Sequence, residues 1–292
     1  MWTAILDIHA RAHYGRGVAG TAESLSTSPG PVPPTVRSAS TGVNVTLRIL
    51  DLLAARGALG LADLARELGV AKSTAHRVCA VLVERAWAVR DADGRYYLGV
   101  RALRLGSLAT ELPIVVAFRT VAADFLSTLD ETIALAVLDG DESLYLAIEE
   151  TSQPVRYITH VGSKTPAFAS ASGRVVLSSL PPAMVDSLFA GRPLITPTGR
   201  RLGGMAELGD LLDRVRRNGY AENWEETARG LYAASVPIVN GAGTTLAALT
   251  TLVPLSRATT ERHAAIVAQL QAAGAKLSEL AAWIPAFSFR RP

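Results

Sequence analysis

Apolar positions between Val45 and Leu98 recur with helical spacing three times and then break into short extended runs. Leu47, Leu50, Leu53 and Ala54 mark a first helix. Leu61, Leu64, Ala65 and Leu68 mark a second, on the i, i+3, i+4, i+7 spacing of one buried stripe, and Gly69 supplies the left-handed residue that ends it. The third helix runs from about Lys72 to Glu84 and buries Ala75, Val78, Cys79, Leu82 and Val83. Ala88–Arg90 and Arg95–Leu98 then flank Asp91-Ala92-Asp93-Gly94, a short hairpin with glycine at its tight position. The pattern predicts three helices and a wing.

Further along, the pattern is mixed. Residues 103–108 continue helically until Pro113, and Phe118, Val121, Ala122, Phe125 and Leu129 form the stripe of another helix. Apolar runs at 133–138 and 144–148 flank Asp139-Gly140-Asp141-Glu142 as strand, turn and strand, and 155–161 reads as a third strand. Leu208, Leu211, Leu212 and Val215 mark a helix that ends near Gly219. The uncharged stretch 230–256 would span a membrane by count alone, but Pro237 and the Asn240-Gly241-Ala242-Gly243 turn divide it into two buried strands joined by a hairpin. Ile266, Leu270, Ala273, Leu277 and Leu280 mark a closing helix. The expected fold is α+β, with a mostly antiparallel sheet flanked by helices in the second domain.

With 292 residues, 49% of them hydrophobic and 19% charged, the chain can build a core in each of two domains. The single cysteine, Cys79, excludes an internal disulfide. The five histidines, His9, His13, His76, His160 and His263, lack the spacing of structural zinc, so no metal and no other cofactor is expected. The first seven residues have no basic segment and include Asp7, unlike a signal peptide, which predicts a cytoplasmic protein without a membrane partner. Residues 21–42 are rich in Ser, Thr, Pro and Gly and cannot bury enough apolar surface to offset the entropy of ordering. The predicted plan is a disordered tail over 1–42, a DNA-binding module over 43–99, a linker helix over 100–112, a second domain over 113–285 and a C-terminal tail over 286–292. Arg11, His13 and Arg16 in the first tail either touch phosphates or have no role.

Charge is distributed unevenly. The first 99 residues carry eleven basic and eight acidic groups, and residues 100–292 carry eighteen of each, so the whole excess lies at the N-terminal end. A helix-turn-helix needs a small residue where its helices cross, a turn glycine and an apolar inner face; Ala65, Gly69 and the Leu64, Leu68, Val70, Ala75, Val78 set meet that need. The other face of the third helix presents Lys72, Ser73, Thr74, His76 and Arg77. These side chains offer a point charge, hydroxyls and a bidentate guanidinium, the chemistry of phosphate and base-edge contact. A solvated face of an amphipathic helix is the competing reading for each residue alone; their combination with the hairpin favours double-stranded DNA. Arg90 and Arg95 on the hairpin either grip the backbone or minor groove or are simply exposed. One module covers little DNA, so a dimer on a palindromic operator is expected, with the linker helix as a candidate dimer contact.

Along about 240 residues, from Val43 to near Ile284, the sequence resembles the IclR family of bacterial transcriptional regulators. The resemblance rests on Leu47 to Leu98, ending in Tyr96-Tyr97-Leu98-Gly99, on His160-Val161-Gly162-Ser163-Lys164-Thr165-Pro166 with Ala169-Ser170-Ala171-Ser172-Gly173-Arg174, and on Gly219-Tyr220-Ala221, the acidic stretch 222–226, Gly230-Leu231, Ala234-Ser235-Val236-Pro237-Ile238 and Ala247-Ala248-Leu249. It implies a winged helix-turn-helix joined by the linker helix to a GAF-like effector-binding domain, assembled as a homodimer or homotetramer. It also implies a repressor or activator governed by a small organic or aromatic acid; we expect a repressor. Matched by motif, the effector site falls on Ala171, Ser172, Asn223, Leu231, Ala233, Thr250 and Leu252, with Tyr157 as a wall. In the family a cysteine often stands at the place of Ala233 and an aspartate at that of Asn223, which implies a more neutral site here.

The residues themselves fit such a pocket. Small side chains at 169–173 leave N–H groups accessible at a helix start, where a carboxylate binds favourably, so an anionic effector is expected. Asn223 offers an amide, Thr250 a hydroxyl, and Leu231, Ala233 and Leu252 an apolar surround. Each apolar member taken alone reads equally well as core. Trp224 either stacks on an aromatic ligand or covers the surface. Residues 112–292 show no catalytic triad order, phosphate loop or metal spacing, His160 and His263 stand alone, and Glu149-Glu150 and Glu225-Glu226 read as solvated turn charges, so no enzyme is expected. The alternative function is a DNA-binding regulator whose second domain oligomerises or recruits polymerase without a ligand.

Overall fold

The computed structural model describes residues 42–189 and 191–285. The predicted N-terminal tail, save Gly42, and the 286–292 tail lie outside them. The first unit runs α1 (Gly42–Arg56), β1 (Leu59–Gly60), α2 (Leu61–Leu68), α3 (Lys72–Glu84), β2 (Ala88–Arg90) and β3 (Arg95–Leu98), with the strands in the order β1-β3-β2. The third helix and both wing strands have the predicted bounds. Val45, Ile49 and Leu53 are the buried stripe of α1, and they pack with Leu64, Leu68, Cys79, Leu82, Ala88 and Tyr96. Leu47, one of the residues that mark the helix, is 56% exposed, because positions two apart, such as Leu47 and Ile49, lie on opposite sides of a helix with 3.6 residues per turn. Val83 is also exposed, one position past Leu82, which takes the core place. Gly69 has φ 65°, its N–H donates to Arg66 O and Val70 N–H to Ala65 O, so the left-handed cap predicted for α2 closes as a Schellman motif.

The second unit follows through α4 (Val100–Ala109) and α5 (Pro113–Leu129). Pro113 starts α5, where its missing N–H has no intrahelical partner to lose. Six strands form one sheet: β4 (Thr132–Asp139), β5 (Glu142–Glu149), β6 (Lys164–Pro166), β7 (Ala221–Trp224), β8 (Leu231–Val239) and β9 (Thr245–Pro254). Their order is β6-β5-β4-β9-β8-β7, and every neighbouring pair is antiparallel. The remaining helices are α6 (Ala171–Ser178), α7 (Pro182–Phe189), α8 (Met205–Asn218) and α9 (Thr260–Leu280). The predicted hairpin of β8 and β9 is present, with Asn240 Oδ1 accepting from Ala242 and Thr244 N–H across its turn.

Strand alternation sorts two cores. Ile133, Leu135, Tyr232, Val236, Leu249 and Val253 face α5 and α9, with Phe118, Phe125, Ile266 and Leu270 among their partners. Ala134, Ala136, Ala233, Ala248 and Leu252 face α6. Alanines on that face let α6 approach closely, and Gly173 lets the loop before α6 fold back on the helix, since a Cβ there would lie 2.3 Å from the Ala167 Cα. A third cluster, with Phe168, Leu177, Phe189, Leu208 and Leu212, packs α6, α7 and α8 together.

Residues 155–161 are not a strand. Val155, Ile158 and Val161 are all more than 60% exposed, and the strand of that region is β6, three residues further on. The turn at Gly162 (φ 88°) joins them, with Gly162 N–H bonded to Tyr145 O and Tyr145 N–H to Ser163 O. Among the described residues, no single helix is long and apolar enough to cross a membrane.

Candidate functional site: an exposed helix face and a closed sheet face

Helix α3 places Ala75, Cys79 and Leu82 in the core, which turns Lys72, Ser73, His76 and Arg77 to solvent and leaves Thr74 half-buried. Among the described residues, none of those four exposed side chains makes a hydrogen bond or ion pair. Cys79 is buried as predicted, and burial pushes its thiol pKa up to about 11, which makes it an inert core group. The helix begins after Ala71 without a side-chain cap, so its first N–H groups also point outward unpaired by any side chain. Arg48, which the sequence pattern did not single out, reaches from α1 to Leu68 O at 3.3 Å and ties the end of α2 in place.

The wing is held by one carboxylate. Asp91 accepts from Arg95 N–H at 2.7 Å and from the Tyr97 hydroxyl at 2.9 Å. The Arg95 N–H bond is the main reason its carboxyl lies below the usual range. Arg90 stands 5.7 Å over the Tyr96 ring, a cation–π contact, and Arg95 is exposed at the start of β3.

In the second unit, the residues predicted for the effector site come together on the α6 face of the sheet. Ala171, Leu231, Ala233 and Leu252 share one buried cluster with Tyr145, and half-buried Tyr157 packs against it. Ser172 Oγ lies 2.7 Å from Ser143 Oγ, and Thr250 Oγ1 2.8 Å from Ser235 Oγ. Asn223 is 1% exposed; its Nδ2 donates to Ala169 O and its Oδ1 accepts from Glu226 N–H at 3.0 Å. The amide predicted for a ligand is therefore committed to the protein, bridging the loop before α6 to the loop after β7. At the start of α6, Ser170 Oγ caps Gly173 N–H at 3.0 Å, and Ala169 and Ser170 N–H donate to Pro166 O. Those of Ala171 and Ser172 have no protein acceptor among the described residues.

Glu226 differs from expectation, and Trp224 takes the second of its two expected places, at the domain surface. Glu226, predicted as a solvated charge, is 5% exposed and pairs with Arg174 at 2.5 Å and with Arg200. Arg174 itself is buried and also donates to Phe168 O at 2.8 Å and Glu222 O at 3.2 Å. Trp224 points to the opposite side of the sheet from Asn223, as alternation along β7 requires. Its ring lies 4.4 Å from Tyr232 and 5.9 Å, stacked, from His263, whose Nε2 is 2.5 Å from Glu222 Oε1. The tryptophan is thus removed from the candidate ligand face. Among the described residues, no group of three or more His, Cys, Asp or Glu side chains could hold a metal ion.

Three helices with a cationic third face and a β-wing, followed by a six-stranded antiparallel sheet unit, define a winged helix-turn-helix regulator with a second domain. The family model of the IclR helix-turn-helix domain matches residues 42–92, and that of the bacterial transcriptional regulator IclR C-terminal domain matches 107–279. The chain belongs to the IclR family of DNA-binding transcriptional regulators. It is 30% identical over 196 residues to the transcriptional regulator KipR of Bacillus subtilis, covering 67% of this chain and 78% of that protein. The solved IclR regulator of Alicyclobacillus acidocaldarius matches at 26% identity and a TM-score of 0.73, over 82% of this chain and 98% of that one. An IclR homologue of Microbacterium hydrocarbonoxydans, solved with 4-hydroxybenzoate, shares the fold at 24% identity and a TM-score of 0.71, over 82% of this chain and 98% of the other.

Proposed function

We propose that this chain is a cytoplasmic, sequence-specific repressor whose operator affinity is set by a small anionic organic or aromatic acid. Residues 43–99 form the DNA-binding domain, 100–112 the linker and 113–285 the effector-binding domain. Lys72, Ser73, Thr74, His76 and Arg77 contact the major groove, and Arg90 and Arg95 of the wing hold the backbone. The protein acts as a homodimer or homotetramer on a palindromic operator, with Val100, Leu103, Leu105 and Leu108 of α4, exposed in the single chain, as dimer contacts. It has no catalytic activity: His160 is exposed, and His263 is engaged with Glu222 away from the α6 face.

The observation that carries the effector reading is convergence. Tyr157, Ala171, Ser172, Asn223, Leu231, Ala233, Thr250 and Leu252 come from five separate segments, and they line one face of one sheet around a helix start with two N–H groups to offer an anion. The field of α6 and those groups favour a carboxylate. Closure of that face also supports a second reading, in which the domain oligomerises or recruits polymerase without a ligand, since the Ser172, Asn223 and Thr250 groups already have partners.

A thermal-shift panel of carboxylic acids, begun with 4-hydroxybenzoate, separates the two. An effector at 100 times its dissociation constant adds about 2.7 kcal/mol of stability. Operator titrations with and without the hit then differ by the same factor that DNA imposes on effector affinity. Coincident titrations, or a panel without a hit, favour the ligand-free reading.

A further inference from the structure

A cavity of about 280 Å³ lies beside the edge strand β7, walled by Arg174 of α6, Arg200, and Leu211 and Arg214 of α8, with Tyr220 and Glu226. None of the eight residues assigned to the effector site lines it. Three guanidiniums meet there. Glu226 pairs with Arg174 and Arg200, and Glu207 takes another nitrogen of Arg200 from outside the lining. Glu222 also borders the cavity, but its carboxylate is held by the Tyr232 hydroxyl at 2.8 Å and by His263. Arg214 has no hydrogen-bond or ion-pair partner among the described residues. Burial pushes the Arg174 pKa down despite the pairing with Glu226, and like charge from Arg200 and Arg214 adds to the fall.

We propose that this cavity is a second ligand site, which takes a compact polyanion carrying phosphate or carboxylate groups. Guanidinium forks match both groups bidentately, and the volume, at the lower end for small-molecule sites, restricts the occupant to a small metabolite. The site also touches both walls of the effector face. Arg174 stands on α6 two residues beyond Ser172, and Glu226 N–H is held by Asn223. An anion that draws on Arg174 or displaces Glu226 therefore acts on effector binding, a coupling that rests on the function proposed above, whereas the site itself does not.

The test is isothermal titration of the full chain at constant ionic strength with sodium phosphate and with sodium citrate, using chloride as the blank. Saturable binding of at least one of them, one per chain, is expected, and the two arms show which group is preferred. Arg214→Gln removes an exposed, unpartnered side chain, leaves the fold intact and should weaken binding at least tenfold. Absence of binding by either anion, or binding that Arg214→Gln leaves unchanged, overturns the proposal. Thr250→Val on the effector face should leave polyanion binding unchanged. Loss of binding in Thr250→Val but not in Arg214→Gln places the anion on the effector face, which contradicts this site and leaves the effector reading standing.

Discussion

The two regions of this regulator treat their polar groups in opposite ways. On α3, Lys72, Ser73, His76 and Arg77 reach solvent with no partner among the described residues. On the sheet face beneath α6, Ser172, Asn223 and Thr250 are buried and bonded to other protein groups. An open face meets a rigid partner such as duplex DNA with little rearrangement. A closed one has to exchange internal hydrogen bonds, worth about 0.5–1.5 kcal/mol each, for bonds to a ligand. In the function proposed above, that exchange gives a ligand its differential affinity for two conformations, the requirement for shifting an operator equilibrium.

The sharpest way to break the closed region is at its buried ion pair. Arg174→Ala leaves the buried Glu226 with the more exposed Arg200 as its remaining partner, and the expected loss is at most about 3–5 kcal/mol, read by urea unfolding of the full chain. Leu64→Ala, in the core beneath the open face, should cost about 2–5 kcal/mol and lower the thermal midpoint of the N-terminal unit. Arg77→Ala removes an exposed group and should cost about 1–3 kcal/mol of operator affinity while leaving the melting temperature unchanged. Thr250→Val should change stability by less than about 1.5 kcal/mol, since Ser235 keeps its bond to Leu249 O, yet weaken the effector found by thermal shift.

The smallest effect is a pH dependence in neither polar face. Asp130 accepts from Ser152 N–H, chiefly, and from the Ser152, Thr151 and Gln153 side chains, which holds its carboxyl well below the usual 3.8. A carboxyl lowered on folding contributes stability that is present above its unfolded pKa and is lost as pH falls through the folded one. Stability should decline below about pH 4, and Asp130→Asn should flatten that limb of an acid titration followed by circular dichroism.

Legibility in the sequence followed the same division. The α3 helix and the wing were readable to the residue, because helical period, Gly69 and Gly94 are local signals that tertiary packing leaves in place. Strand pairs β4–β5 and β8–β9 were readable for the same reason, each being two apolar runs about a turn. Strand β7 was not, because Ala221 to Trp224 carries Glu and Asn, and only partners distant in sequence bury Asn223 and Glu226. Arg174 likewise looks like a surface residue until α6 is set against Phe168 and β7. The 155–161 run misled in the reverse sense, its Val and Ile side chains lying outside where no element covers them. The apolar part of the candidate effector face was legible by resemblance; that its polar groups bond to the protein was not, since hydrogen-bond partners are a property of the folded chain.

In the function proposed above, the open face of α3 reads DNA. A gel-shift titration of the full chain against duplex from its own upstream region, at one low ionic strength, tests it with Arg77→Ala in parallel. Saturable binding by the unaltered protein is expected, with an isotherm shifted about 5–150-fold for Arg77→Ala, the equivalent of about 1–3 kcal/mol. Superimposable isotherms, or no binding by either protein, would contradict it.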